Sequence, residues 1–153
     1  MIKPKIISGG QTGVDQGALD FAIDYDFECG GFCPKGRKSE NGTIPFKYPL
    51  IELDSEKEID RTRKNVLESN ATVIVKDETE FQEGTLNAIK FCQQFSKPFL
   101  IYDVVYDPIN YEMFQNWLLE NNIKILNVAG NRSSDSPGIK GKAYNLLERL
   151  FNI

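Results

Sequence analysis

A strand-to-helix unit lies near the start of the chain, with the sequence Lys5-Ile-Ile-Ser-Gly-Gly-Gln-Thr-Gly13 at its turn. The apolar run that ends at Ser8 is typical of a short buried strand. From Gly13 to Tyr25, apolar residues recur at helical spacing and predict an amphipathic helix. The glycine-rich stretch between the two is therefore a connection whose backbone N–H groups can converge at a helix N-terminus.

The same alternation of strand and helix continues along the chain. We predict further strands at 27–32, 48–53, 71–75, 98–102 and 124–129, and helices at 54–69, 84–95, 109–121 and from Ser136 onward. Residues 34–49 contain three prolines and two glycines and are predicted to form an irregular excursion. Without repeats or linkers, this alternation predicts one domain over residues 1–153, with a mostly parallel sheet and helices on both faces.

The composition excludes several kinds of chemistry. The chain has no histidine, which rules out Ser-His-Asp and Cys-His catalysis and the HExxH type of zinc site. Asp and Glu number 22 against 18 Lys and Arg, giving a net charge of −4, so a nucleic-acid partner is not expected. Lys35, Arg37 and Lys38 form a local basic cluster, which is either a solvent-exposed loop or a binding loop.

The cysteines point to a reducing compartment. There are three, at Cys29, Cys33 and Cys92. An odd number of cysteines, together with an N-terminus unlike a signal peptide, argues against the disulfide framework of a secreted protein. Cys29 and Cys33 lack the further ligands that a zinc site needs, so we predict no metal site. No apolar run approaches the roughly 20 residues of a membrane span. We therefore expect a cytoplasmic protein that makes no membrane contact.

The clearest candidate site is the glycine-rich connection itself. Parallel α/β sheets bind ligands beyond the carboxyl ends of their strands, where this loop is expected. Because glycine lets a phosphate approach the backbone closely, the loop is a candidate phosphate cradle, with a purely structural turn as the alternative. The candidate residues are Gly9, Gly10, Gln11, Thr12 and Gly13.

Asp15 complicates a simple phosphate interpretation. A carboxylate in the first turn of a helix interacts favourably with the helix dipole but repels a nearby phosphate. Asp15 therefore either stabilises the helix or contacts a ribose hydroxyl, a metal or the polar head of a ligand beside the phosphate.

Two later connections reach the same predicted edge of the sheet. Glu83, Gly84 and Thr85 begin a helix and offer a second set of N–H groups together with a hydroxyl. Asn131 and Arg132 follow the last strand, and Arg132 either clamps an anion or is a solvated loop charge.

Several stretches together resemble the putative molybdenum carrier family. They occur in the family's order and span nearly the whole chain: Gly9 to Asp20, Gly30 to Arg37, Gly42 to Leu50, Thr62 to Val66, Asn127 to Arg132 and Ser136 to Ile139. This family is similar to molybdenum cofactor carrier proteins and to the "Lonely Guy" and lysine-decarboxylase-like proteins. The resemblance implies a single Rossmann-like three-layer α/β/α domain, a ligand at the carboxyl edge of the sheet, and a homo-oligomer, either dimer or tetramer.

The function that the resemblance implies is the binding and carriage of a phosphorylated small molecule, either molybdenum cofactor or a nucleotide. The alternative is an enzyme that cleaves the N-glycosidic bond of a nucleotide, with Asp15 or Glu83 as the catalytic carboxylate. The "Lonely Guy" enzymes carry a catalytic glutamate after a glycine-rich loop, and Leu86, Asn87 or Ala88 stands where it would fall here. The sequence therefore favours binding over cleavage.

Overall fold

The computed structural model describes residues 1–153 and contains a central sheet of five parallel strands. In spatial order these are β2 (Cys29–Gly30), β1 (Lys5–Ile7), β9 (Ile125–Gly130), β7 (Ala71–Lys76) and β8 (Phe99–Asp103). Although β9 follows all the other strands in sequence, it lies at the centre, with Leu126 opposite Ile6 on one side and Ala71 on the other. The predicted parallel sheet is confirmed.

Five helices cover the two faces of this sheet. They are α1 (Val14–Asp24), α2 (Glu58–Glu68), α3 (Glu83–Gln94), α4 (Tyr111–Glu120) and α5 (Ile139–Leu150). Helix α5 packs against α1 and α4 on one face, and α2 packs against α3 on the other. The fold is therefore the predicted three-layer α/β/α Rossmann-like arrangement. None of the helices is both long enough and apolar enough to cross a membrane.

The larger hydrophobic core lies between the sheet and the layer of α1 and α5. Leu126 and Val128 of β9 meet Phe21 and Leu147 there, and all four side chains are completely buried. Burial of one such side chain contributes about 1.5–3 kcal/mol. Because side chains alternate along a strand, Asn127 faces the other layer, that of α2 and α3. One face of β9 thus holds the fold together while the other carries a polar group.

The connections that follow β9 and β7 leave the sheet on opposite faces. Helix α5 follows β9 and lies on one face, whereas α3 follows β7 and lies on the other. Neighbouring strands whose connections diverge in this way leave a crevice beyond their carboxyl ends, where α/β proteins bind ligands. The topology therefore directs the candidate site to this point.

The excursion between β2 and α2 contains more regular structure than the sequence predicted. β3 (Phe32–Cys33) pairs with β6 (Ile51–Glu52) in a small parallel sheet. β4 (Lys38–Ser39) and β5 (Gly42–Thr43) form an antiparallel hairpin, with Glu40 and Asn41 at its tip.

The basic cluster of the excursion includes a structural clamp. The Arg37 side chain is buried and donates hydrogen bonds to the carbonyl oxygens of Ile44, Pro45 and Tyr48 at 2.8–3.2 Å. Its charge is therefore engaged in holding the excursion together, and of the three basic residues only Lys35 and Lys38 are exposed.

Candidate functional site

A cleft of about 460 Å³ opens beyond the carboxyl ends of β1, β9 and β7. Only four of its 21 lining residues are hydrophobic, and its volume falls within the range of small-molecule sites, about 300–1,000 Å³. The cleft is therefore suited to a polar ligand. It brings together these sequence-predicted residues: Gly9, Gln11, Asp15, Glu83, Gly84, Thr85, Asn131 and Arg132. The other predicted residues, Gly10, Thr12 and Gly13, belong to the same loop but do not line the cleft.

The glycine-rich loop between β1 and α1 uses several of its N–H groups within the protein. The Gln11 N–H donates to Asp15 Oδ2 at 3.1 Å, and the Thr12 N–H donates to Gln11 Oε1 at 3.0 Å. The Val14 N–H donates to the carbonyl oxygen of Asn131 at 3.3 Å. The loop is thus fastened to α1 and to the connection after β9, and these three N–H groups already have acceptors.

Close packing requires glycine at two positions of this loop. A Cβ at Gly13, where φ is +82°, would lie 2.5 Å from the carbonyl oxygen of Asn131. A Cβ at Gly10, where φ is +80°, would lie 2.5 Å from Leu50 Cδ1. These glycines therefore allow the loop to approach both the β9–α5 connection and the excursion.

A buried ion pair forms part of the cleft wall. Arg61 Nη1 lies 3.7 Å from Asp15 Oδ2, and the two residues are only 7% and 8% exposed. Burial raises the pKa of Asp15 above its usual value, against the opposing effects of the Arg61 guanidinium and the Gln11 N–H. A desolvated carboxylate beside a specific charged partner in a cleft is typical of functional sites.

Arg61 keeps most of its hydrogen-bonding capacity free. Its Nη1 donates to the Gly9 carbonyl oxygen at 3.2 Å, and its Nε and Nη2 donate to no acceptor in the protein. A guanidinium carries five N–H donors. When one is almost buried but leaves donors unpaired in a polar cleft, it can bind an anionic group with little competition from water.

The first turn of α3 presents unpaired backbone N–H groups to the same cleft. The N–H groups of Glu83, Gly84 and Thr85 have no acceptor in the protein. Apart from its own helix and chain neighbours, no atom lies within 4 Å of the place where a Gly84 Cβ would be, so no other element packs against the helix there. Free N–H groups and the helix dipole together favour an anion here.

Asn131 organises this end of the cleft with its side chain. Its Oδ1 accepts hydrogen bonds from the Gln82 N–H and Thr85 Oγ1 at 3.2 and 3.0 Å. Its Nδ2 donates to the Glu80 carbonyl oxygen and to Ser136 Oγ at 2.9 and 3.1 Å. The side chain therefore uses its full hydrogen-bonding capacity to join α3 to the connection after β9.

Glu40 reaches from the tip of the β4–β5 hairpin to the loops beside the cleft. Its carboxylate accepts hydrogen bonds from Thr12 Oγ1, from the Ser134 N–H at 3.1 Å and from Ser134 Oγ at 2.5 Å. Arg132 Nε lies 3.6 Å from the same carboxylate and donates to Asp135 at 3.1 Å. Burial raises the pKa of Glu40, but the hydrogen bonds from Ser134 and Thr12 outweigh it, so that the pKa is below its usual value.

Comparisons with known proteins give the relatives of this chain. Residues 6–151 match the model of the circularly permutated YpsA SLOG family. The chain belongs to this family. A crystal structure of a putative molybdenum carrier protein from Syntrophus aciditrophicus SB is similar over 97% of this chain and 94% of its own, with 38% sequence identity and a TM-score of 0.89. Comparison with curated proteins found no significant match.

Both findings confirm the resemblance to the putative molybdenum carrier family that the sequence predicted. In this member of the circularly permutated YpsA SLOG family, the strand at the centre of the sheet is the last one in sequence. The cleft is bounded on one side by the carboxyl end of that strand.

Sequence reasoning missed Arg61, which lines the cleft, and Glu40, which contacts the loops beside it. Arg61 lies four residues before Asn65, whose side chain is also buried and bonds to the backbone N–H and carbonyl oxygen of Phe32. Two polar residues at this spacing share one helix face, which was the available signal. No sequence signal marked Glu40, because its position depends on how the excursion folds.

We expect the stability of Asp15→Asn relative to wild type to increase between pH 4 and pH 7. Because folding raises the pKa of Asp15 above its usual value of 3.8, the folded state holds this proton more tightly than the unfolded chain. The contribution of Asp15 to stability is therefore greatest below 3.8 and falls as the pH rises through the folded-state pKa. Urea unfolding should therefore show that Asp15→Asn compares better with wild type at pH 7 than at pH 4. An equal difference in stability at the two pH values would contradict the raised pKa.

Proposed function

We propose that this protein binds and carries a phosphorylated small molecule in the cleft, either a nucleotide or molybdenum cofactor. One observation carries the proposal: two free groups of donors, the Arg61 guanidinium and the first-turn N–H groups of α3, line the same polar cleft. A phosphate accepts readily from both kinds of donor. A carrier role also agrees with the similarity to a protein described as a putative molybdenum carrier.

We assign the phosphate to the start of α3. The N–H groups of Gly84 and Thr85 supply uncharged donors, and Arg61 and Arg132 supply positive charge. The glycine-rich loop contributes to the cleft wall through Gly9 and Gln11, while Thr12 and Gly13 hold the loop in place. This assignment rests on the residues that line the cleft: the Gln11 N–H already donates to Asp15, whereas the N–H groups of Gly84 and Thr85 have no acceptor in the protein.

The carboxylates around the cleft suit the other end of such a ligand. Asp15 of α1 and Glu58 of α2 line the cleft, and Gln11 Nε2 donates to Glu58 Oε1 at 3.1 Å. Ionised carboxylates are acceptors only, and a purine or pterin offers ring N–H and amino groups, just as a ribose offers hydroxyls. Asp15 would orient this polar head while the phosphate lies at α3.

The organic part of molybdenum cofactor fits these donors and acceptors. The structure contains no cluster of three or more His, Cys, Asp or Glu side chains that could hold a metal ion, and no cysteine lines the cleft. The pterin dithiolene of the cofactor holds its own molybdenum. The protein residues are therefore needed only for the phosphate and the pterin ring, which they suit as well as they suit a purine nucleotide.

Mass spectrometry of the small molecules released on denaturation tests this proposal, together with calorimetric titration of the protein with GMP and AMP. We expect a phosphorylated pterin or nucleotide to be released, or one of the two nucleotides to bind more tightly than ~1 mM, the threshold for weak specific affinity. Release of no phosphorylated compound, combined with no binding of either nucleotide at that concentration, would contradict the proposal.

Cleavage of the ligand is a second candidate function, favoured by the position of Asp15 in the cleft wall beside Arg61, where burial raises the pKa of the carboxyl group. A carboxyl group that stays protonated closer to neutral pH can act as a general acid. The same samples distinguish the two functions after incubation with GMP. Free guanine and ribose phosphate would indicate cleavage, whereas intact GMP would indicate carriage.

Assembly, location and extent of the domain stay predictions from the sequence. These are the dimer or tetramer, the cytoplasmic location, the absence of a nucleic-acid partner, and the single domain over residues 1–153.

A further inference from the structure

We propose that the Glu40 carboxylate occupies a second anion site, which takes the outer phosphoryl group of a diphosphate-bearing ligand. This outer anion site consists of Thr12, Arg132 and Ser134. The inference rests on the proposed function, because it names the class of phosphorylated ligand that the cleft would take. Glu40 then acts as a tethered competitor of that ligand.

The donors of the outer anion site all converge on one carboxylate. The Ser133 N–H donates to Thr12 Oγ1 at 3.2 Å, which leaves the Thr12 hydroxyl proton to point at Glu40 Oε1. Ser134 donates its N–H to Oε1 and its hydroxyl to Oε2. Arg132 Nε is 3.6 Å away, and its two terminal nitrogens donate to no acceptor. Hydroxyls, a backbone N–H and a guanidinium make a donor set that binds phosphoryl oxygens well.

The Glu40 residue, whose carboxylate fills the outer anion site, makes few contacts outside that site. The hairpin that carries Glu40 has strands of only two residues each, and Asn41, Gly42 and Thr43 are exposed. Apart from its carboxylate, Glu40 is fastened by its N–H, which donates to Gln11 Oε1 at 3.0 Å. Displacement of the tip therefore breaks a small set of bonds that a phosphoryl group can replace.

The outer anion site is continuous with the cleft. Arg132 and Gln11 line the cleft and both contact Glu40. A phosphate at the start of α3 shares Arg132 with the outer anion site. A second phosphoryl group on the same ligand can therefore accept hydrogen bonds from the donors of that site. A diphosphate gains these contacts and a monophosphate does not. While Glu40 fills the site, the apparent affinity for a diphosphate is reduced by the fraction of molecules in which the site is open.

Titration with pyrophosphate tests this inference, with Glu40→Gln as the main variant. Glutamine keeps the size of the side chain and an acceptor for Thr12 but removes the competing charge. We expect Glu40→Gln to bind pyrophosphate about tenfold more tightly than wild type, which corresponds to a site that is open in roughly one molecule in ten. Glu56→Gln is the matched control, because Glu56 pairs with Lys38 of the same hairpin at 3.0 Å but lies outside the site. We expect it to bind pyrophosphate as wild type does.

Hydrogen exchange at residues 40–43 gives a second readout in the wild-type protein. Saturating pyrophosphate should raise the exchange rate there several-fold, because it frees the hairpin tip. Slower or unchanged exchange, or equal pyrophosphate affinity in Glu40→Gln and wild type, would overturn the inference and leave Glu40 as a structural brace.

Binding of GMP separates this inference from the proposed function. If wild type binds GMP but Glu40→Gln binds pyrophosphate no more tightly, the outer anion site is wrong and the proposed function stands. If Glu40→Gln binds pyrophosphate more tightly but neither protein binds GMP or releases a phosphorylated ligand, the outer site stands and the proposed function is wrong.

Discussion

Arg61→Lys is expected to weaken the binding of a phosphorylated ligand such as GMP about 30-fold, the equivalent of one charge-assisted hydrogen bond of roughly 2 kcal/mol. Lysine keeps a positive charge beside Asp15, so the buried carboxylate is not left without a partner. It loses the planar arrangement of several N–H donors that lets one side chain hold both Gly9 and an anion. Calorimetric titration measures the change in affinity.

Arg63→Lys is the matched control for this experiment. Arg63 lies two residues further along the same helix, but it is exposed and its guanidinium stacks over the Phe95 ring at 5.2 Å, away from the cleft. We expect its affinity for GMP to stay within about twofold of wild type, as is usual for a surface change far from a site. Equal losses in both variants would mean that the general charge of α2, rather than Arg61, attracts the ligand.

Gly13→Ala is expected to destabilise the protein by about 3–5 kcal/mol, a large part of the stability of an ordinary domain. The backbone at Gly13 has φ +82° and ψ −128°, a region that other residues hardly adopt. The new Cβ would also lie 2.5 Å from the Asn131 carbonyl oxygen, which is backbone and cannot rotate away. Urea unfolding, followed by the fluorescence of Trp117, measures the loss.

Gly42→Ala separates the two causes of this loss. Gly42 also has a positive φ of +99°, but no atom lies within 4 Å of its Cβ position. Only the backbone strain should appear there, about 1–2 kcal/mol. If both variants lose the same amount, the clash of the new Cβ with the Asn131 carbonyl oxygen adds nothing to the loss.

The sheet was predictable because its central strands are both apolar and rich in β-branched residues. Residues 71–76 show this most clearly, and the structure forms β7 there with five of its six residues buried. Alternation with helices then sufficed to predict parallel pairing. The edge strand β2 contains only two residues, Cys29 and Gly30, so its bounds depend on pairing with β1 rather than on a local pattern.

The start of α2 was predicted wrongly because a local hydrogen bond imitates a helix cap. Ser55 Oγ accepts from the Lys57 N–H at 3.1 Å and donates to Asp60 at 2.5 Å. These contacts close a turn before the helix, which begins only at Glu58. Ser55 followed by Glu58 is the sequence pattern of a helix cap, but Ser55 lies three residues before the first residue of α2 and does not cap it.

The predicted start of α5 at Ser136 was wrong for a different reason. A tertiary contact engages the Ser136 hydroxyl, which would otherwise cap the helix. Ser136 Oγ donates to Asp77 at 3.2 Å across the cleft edge and accepts from Asn131. Gly138 then adopts a left-handed conformation, and the helix begins at Ile139. Such a competition involves residues about 60 positions apart in the chain, which a local pattern does not reveal.

Most of the candidate site was predictable, because the rule that ligands bind at the carboxyl edge depends only on topology. The sequence did not predict which hydrogen-bond donors of the site remain free. The glycine-rich loop looked like the main phosphate cradle, yet the N–H groups of Gln11 and Thr12 already have acceptors and Gly10 and Gly13 do not line the cleft, whereas Arg61 was unforeseen. Which N–H groups remain free is a property of the assembled fold.

The central position of β9 sets the order in which this molecule can be assembled during synthesis. Strands β1 and β7 both pair with β9 and not with each other, so neither half of the sheet can join the other until residues 125–130 have left the ribosome. Until then two strand edges stay bare, and bare edges readily pair with other chains. Folding must also close contacts across more than 100 residues, which slows it. The nascent chain therefore depends on its last strand and helix to complete the sheet and to cover these edges.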